Sequence, residues 1–85
     1  MKPSSHLTWF VETRGVTLSS HDRRLDVSIP YPYAGLWALI ANGNYSPGLA
    51  AELMSVLLSV DKEQAAGEVA LTLAAWQQAG YLEPD

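Results

Sequence analysis

The chain of 85 residues contains no cysteine, so disulfide bonds and thiolate metal sites are excluded. Its two histidines, His6 and His21, have no partner at helical metal-ligand spacing, and we expect solvated surface residues and no metal. No apolar run reaches the roughly 18 residues that a membrane span needs. Residues 1–6 lack the apolar core of a signal peptide. These absences predict a cytoplasmic protein with no membrane partner.

Charge is also scarce. Charged residues make up 16% of the chain and hydrophobic residues 48%, which favours a packed globule over a disordered chain. The net charge of -4 argues against a nucleic-acid partner, whose phosphates a protein must neutralise. A chain of this length forms one core. We therefore predict a single domain over residues 7–85, preceded by a flexible N-terminus over residues 1–6.

The motifs of common enzyme sites are missing as well. The sequence has no nucleophile elbow, no phosphate-binding glycine loop and no dinucleotide fingerprint. His21 and Asp22 could form an acid–base pair only if their side chains met, but neighbours in an extended segment point to opposite faces. The sequence therefore predicts a protein that is not an enzyme and binds no cofactor.

The first third of the chain has strand character. Leu7–Thr13 is rich in aromatic and β-branched residues, whereas Val16–Ser19 and Leu25–Ile29 alternate apolar with polar residues. Pro30 is expected to end the pairing of the third strand because it has no N–H to donate. Short connections, including the turn at Arg14-Gly15, predict an antiparallel meander. The face expected to pack against helices carries Val16, Leu18, Leu25, Val27 and Ile29.

The rest of the chain has helical spacing. A first helix is predicted from about Pro32 to Ala41, with Asn42-Gly43 ending it. Ser46 and Pro47 predict the start of a second helix as its N-cap and first helical residue. Its expected core stripe is Leu49, Leu53, Val56, Leu57 and Val60.

The third helix is predicted between Asp61 and Gly80. Asp61 is the expected N-cap, and Gln64 three residues later can complete a capping box. Gly80 ends the helix, after which Tyr81 and Leu82 fold back onto the body. Its expected core stripe is Ala65, Val69, Leu73 and Trp76.

Three strands followed by three helices predict an α+β fold, and a winged-helix-like domain is the simplest such architecture. The third helix, however, offers Lys62 as its one cation, whereas a DNA-reading helix presents cations and amides to the groove. A winged-helix transcription regulator is therefore the alternative function and not the favoured one. The only basic cluster consists of Arg14, Arg23 and Arg24.

The aromatic residues divide into core and surface candidates. Trp37 and Trp76 lie on apolar helix stripes and are expected in the core. Trp9 and Phe10 are neighbours on the first strand, so one of them faces away from the buried side. That residue either marks a contact surface or is covered by the chain terminus.

A three-stranded sheet has two edges, and an open edge can accept a peptide as an added strand. If the third strand is an edge and the third helix lies beside it, the two form a groove. The backbone of Leu25–Ile29 would then bind the peptide main chain, and small alanines on the helix would leave room for its side chains. Those alanines could equally serve close packing of helix on sheet, and the edge could instead pair with a second copy in a homodimer. The helix stripe in question is Ala66, Ala70, Leu73 and Gln77.

One pattern of apolar positions spans most of the chain. Ile29-Pro30 is followed by a helix with Leu36-Trp37 and Leu39-Ile40 and then by Asn42-Gly43, and the second helix leads into the third through Val60-Asp61. Glu68-Val69, Leu73 and Gly80-Tyr81-Leu82 complete the pattern. From about Leu7 to Leu82 it resembles the PqqD-like family, also called RiPP recognition elements. The departures are Pro30, where the family usually has Asn, and Tyr81, where it usually has Leu.

The resemblance implies a small winged-helix domain that holds the leader segment of a ribosomally made precursor peptide. The leader would add as a strand to the third strand, with its side chains beside the third helix, and be presented to a radical SAM enzyme, a cyclase or a protease. At 85 residues the chain looks like a stand-alone adaptor. Carried over to this sequence, the peptide contacts would be Leu25, Asp26, Val27, Ser28, Ile29, Ala66, Val69, Ala70, Leu73 and Gln77.

Overall fold

The computed structural model describes residues 1–21 and 26–85, which form five strands and three helices. The elements are β1 (Lys2–Pro3), β2 (Leu7–Glu12), β3 (Gly15–Ser20), β4 (Asp26–Pro30), α1 (Tyr33–Ala41), α2 (Pro47–Leu58), α3 (Lys62–Gln78) and β5 (Leu82–Glu83). The predicted α+β architecture, with a three-stranded antiparallel sheet and three helices, is confirmed. None of the described helices combines the length and the apolar character that crossing a bilayer requires.

The main sheet has the strand order β2-β3-β4, with antiparallel pairing throughout. Leu18 lies opposite Trp9 on one side and opposite Val27 on the other, and Val16 lies opposite Ile29. Residues directly opposite each other share a face of the sheet, so these side chains form its inner face. Val16, Leu18 and Ile29 are buried there and Val27 is half-buried, as the alternation predicted. Leu25 lies outside the described residues.

The paired residues of β4 end at Pro30, as predicted, but the missing N–H of Pro30 is not the reason. Pro30 lies opposite Gly15 as the last residue of β4, and the N–H of Tyr31 still donates to the carbonyl of Arg14 at 3.2 Å. Because backbone groups alternate between the two sides of a strand, Tyr31 and Ile29 face β3 and Pro30 faces the outer edge. A proline at that position removes no bond to β3.

The predicted caps of α2 and α3 are confirmed. The Ser46 hydroxyl accepts a hydrogen bond from the N–H of Leu49 at 3.1 Å, with Pro47 as the first helical residue. The Asp61 carboxylate accepts from the N–H of Gln64 at 2.7 Å. Each cap satisfies a backbone donor that a helix start would otherwise leave without a partner.

The predicted apolar stripe of α2 is wrong for most of its members, although Val60, which follows the helix, packs against the core. The buried residues of α2 are Ala50, Ala51 and Met54, while Leu49 and Leu57 are exposed, Leu53 and Val60 are half-buried, and Val56 is 73% exposed. Ala50 and Met54 belong to the same core cluster as Ala65 and Val69 of α3. Small side chains let two helices approach closely, and Ala50 and Ala51 supply them on the buried side of α2, where Met54 is the one long side chain. The α3 stripe, by contrast, is buried as predicted.

The two chain ends form a second, smaller sheet. Lys2 lies opposite Glu83 and Pro3 opposite Leu82 in antiparallel register. Ser4 extends this pairing, because its N–H donates to the carbonyl of Tyr81 at 2.9 Å and its hydroxyl to the carbonyl of Gly80 at 2.7 Å. The sequence predicted the return of Tyr81 and Leu82 onto the body but not the strand over Lys2–Pro3.

Two glycines allow a matched test of the fold. A Cβ on Gly15 would overlap the Ile29 carbonyl oxygen and lie 2.9 Å from Pro30 Cα, whereas a Cβ on Gly67, in the middle of α3, would meet nothing within 4 Å. We expect Gly15→Ala to lower the free energy of unfolding by more than about 2 kcal/mol, because β3 and β4 must separate. Gly67→Ala should raise it by about 0.5–1 kcal/mol through helix propensity. Urea denaturation measures both, and equal effects of the two substitutions would contradict this account.

Candidate functional site

β4 is an edge strand: among the described residues it pairs with β3 and with no other strand. Because Ile29 faces β3, alternation directs the backbone groups of Asp26, Ser28 and Pro30 to the outer side. This outer side, called here the β4 edge, presents two N–H donors, on Asp26 and Ser28. It also presents three carbonyl acceptors, on Asp26, Ser28 and Pro30.

A groove of about 400 Å³ lies between β4 and α3. Ile29 and Trp76 are buried at its base, whereas Leu71 is exposed at its rim. None of the residues that line it carries a formal charge, and its polar groups are hydroxyls and backbone. The lining residues are Val27, Ser28, Ile29, Pro30, Tyr33, Leu71, Thr72, Ala75, Trp76 and Tyr81.

Tyr33 joins the two walls of this groove. It is the first residue of α1, and its hydroxyl donates to Glu68 Oε2 of α3 at 3.5 Å. That long hydrogen bond connects the end of α1 that follows β4 with the helix on the other side of the groove. An apolar floor with a few hydroxyl groups at the walls is the usual character of a site that binds apolar side chains.

The structure brings together the strand half of the sequence-predicted site. Val27, Ser28 and Ile29 line the groove. Asp26 does not line it: this residue is exposed, and its carboxylate accepts a hydrogen bond from the Ser19 hydroxyl at 2.7 Å. Leu25 lies outside the described residues.

The helix half of the predicted site lies elsewhere. Val69 and Leu73 are buried in the core, and Ala66, Ala70 and Gln77 are exposed but do not line the groove. The groove is instead lined by another stripe of α3, which sequence reasoning did not assign to the site. Helical periodicity identifies a buried stripe but not which flank of that stripe lies beside β4. The residues missed are Tyr33, Leu71, Thr72, Ala75, Trp76 and Tyr81.

The other candidate residues are dispersed. His6, Arg14 and His21 are exposed, and the described part of the chain holds no group of three histidine or acidic side chains placed to bind a metal ion. Arg23 and Arg24 of the predicted basic cluster lie outside the described residues.

A tryptophan scan on α3 distinguishes the two helix stripes. Ala75 lines the groove and is exposed enough to accept a larger side chain, while Ala66 is exposed on the stripe predicted from the sequence. We expect Ala75→Trp to fill the groove and weaken binding of an extended peptide by at least about tenfold. Ala66→Trp should leave the affinity unchanged. Isothermal titration calorimetry with the same peptide measures both affinities. If Ala66→Trp weakened binding more than Ala75→Trp did, the result would favour the stripe that contains Ala66.

Comparison of the chain with protein-family models, with curated protein sequences and with solved structures gave no match.

Proposed function

We propose that this protein is a non-catalytic peptide chaperone of winged-helix type and a member of the PqqD-like family. It binds the leader segment of a ribosomally made precursor peptide as an added strand on β4 and presents it to a modifying enzyme, such as a radical SAM enzyme, a cyclase or a protease. The observation that carries this proposal is the β4 edge, whose backbone groups have no strand partner within residues 1–21 and 26–85 and lie directly beside an uncharged groove.

The backbone of the β4 edge supports strand addition over other modes of binding. Two donors and three acceptors alternate along five residues, which is the pattern that an incoming strand satisfies through its own main chain. Main-chain bonds supply affinity without demanding a particular sequence. A carrier that must hold a whole leader segment needs affinity of this kind.

The groove supplies the selectivity that main-chain bonds lack. Side chains of an added strand alternate between the two faces of the sheet, so every second residue of the peptide would point toward α3. There it would meet buried Ile29 and Trp76, with Leu71 and Ala75 on the helix side. The expected ligand is therefore an extended segment with an apolar residue at alternate positions.

The charge of α3 also supports a peptide chaperone over the alternative, a winged-helix transcription regulator. Its described charges are Lys62, Glu63 and Glu68, so the helix carries more acidic than basic groups, and Lys62 already lies 3.9 Å from Glu52 of α2. A helix that contacts DNA phosphates needs more basic than acidic groups.

The β4 edge can be blocked without altering the sheet. Ser28→Pro removes an N–H that faces outward and leaves the bonds to β3 intact, as Pro30 already does two residues later. We expect this variant to bind the leader segment of a short peptide encoded beside this protein at least about tenfold more weakly. Ser28→Thr keeps the N–H and serves as the matched control.

Backbone amide NMR gives the decisive readout. On titration of the wild-type protein with that synthetic leader, the amides of Asp26 and Ser28 should shift and exchange more slowly with solvent, because they gain hydrogen-bond partners. The proposal is wrong if Ser28→Pro binds as well as Ser28→Thr. It is also wrong if the β4 amides stay unchanged while those near Arg14 respond to duplex DNA.

A further inference from the structure

The two edges of the main sheet are β2 and β4, and β2 is the more apolar of the two. Three consecutive residues of β2 are exposed: Trp9 by 37%, Phe10 by 60% and Val11 by 70%. Among the described residues, β2 pairs with β3 and with no other strand. Natural sheet edges are commonly protected by lysine, proline or a bulge, and the segment from Leu7 to Glu12 contains neither lysine nor proline. β4, in contrast, ends in Pro30.

The backbone groups of β2 alternate as those of β4 do. The backbone groups of Val16 and Leu18 in β3 point toward β4. Because these groups alternate along a strand, those of Thr17 point toward β2, where Thr17 lies opposite Phe10. The backbone N–H and carbonyl of Phe10 therefore point toward β3. The same groups of its neighbours Trp9 and Val11 point outward, away from the sheet. Leu7 faces the same way, but its N–H already donates to the carbonyl of Ser4 at 3.1 Å.

This arrangement is self-complementary. In an antiparallel pair of two β2 strands centred on Phe10, Trp9 of each copy lies opposite Val11 of the other, so all outward groups of these two residues find partners. The two Phe10 side chains then meet at the two-fold axis on the outer face, with Cα atoms about 4.5 Å apart. Glu12 lies opposite Thr8, so no like charges are placed opposite each other.

We infer that β2 is a self-association surface through which two copies of this chain form a two-fold dimer with a continuous six-stranded sheet. The pairing uses one edge of each copy and leaves both β4 edges free, so it closes at two and does not extend into a filament. It stands independently of the proposed function. The interface of one short strand falls below the roughly 800 Å² per partner of standard complexes, so the association is weak.

Sedimentation equilibrium from about 10 µM to about 1 mM tests this inference. The wild-type protein should shift from a species of 9.2 kDa toward one of twice that mass. Phe10→Lys places two cations at the axis and should weaken the dimer at least about tenfold. Val56→Lys, at an apolar position of α2 that is 73% exposed, is the control and should not weaken it.

A second variant keeps the inference testable if Phe10→Lys disturbs folding. Val11→Pro removes an outward N–H without breaking a bond to β3 and should also weaken the dimer, and in the wild type the amides of Trp9 and Val11 should exchange more slowly at high concentration. A wild-type protein that stays monomeric at about 1 mM overturns the inference. The inference is also overturned if Ser28→Pro weakens the dimer, or if Val56→Lys weakens it as much as Phe10→Lys does, because either result would place the interface elsewhere.

Discussion

Three tryptophans in edge-to-face contact hold the layers of this fold together. Trp37 of α1 lies between Trp9 of the sheet and Trp76 of α3, with ring centroids 5.9 and 5.5 Å apart and interplanar angles of 78° and 76°. Such pairs contribute about 0.5–1.5 kcal/mol each beyond the burial of their area. Trp37 is fully buried, and its Nε1 has no hydrogen-bond acceptor among the described residues, which costs about 1–3 kcal/mol. Removing a buried tryptophan costs about 3–5 kcal/mol, so packing outweighs the unpaired donor.

The same contact links the core to the candidate site. Trp76 lies against Trp37 on one side and forms part of the groove floor on the other. The floor of the groove is therefore formed in part by a residue of the aromatic core. A preformed floor of this kind lowers the entropic cost of ordering a bound peptide.

The features predicted correctly from the sequence are those that depend on neighbours in the chain. The caps at Ser46 and Asp61 involve a side chain and a backbone N–H three residues away, so a few letters of sequence determine them. Strand alternation at Val16–Ser19 likewise reports one buried face directly. In both cases a rule that uses only residues near each other in the chain is enough to predict the structure.

The errors arise where two elements meet. Val56 and Met54 are both apolar and both fit a helical stripe of α2, and only the packing of α2 against the rest of the core decides which of them is buried. The helix stripe predicted for the site differs from the stripe that lines the groove for a related reason: Ala66 and Ala75 are equally small, and only the position of β4 distinguishes them. For Pro30, the loss of an N–H was clear, but the direction of that N–H depended on the register with β3.

The pairing of β1 with β5 determines how the molecule would respond to mechanical load. Lys2 and Glu83 lie opposite each other in antiparallel strands, so a force that pulls the two chain ends apart acts on one bonded pair at a time, as in a zipper. The opening would pass from these residues to Ser4, which is bonded to the carbonyls of Gly80 and Tyr81. Tyr81 also lines the groove, and the Ser4 carbonyl also accepts a hydrogen bond from the N–H of Leu7, so tension that reaches Ser4 would act on the groove wall and on the start of β2 together.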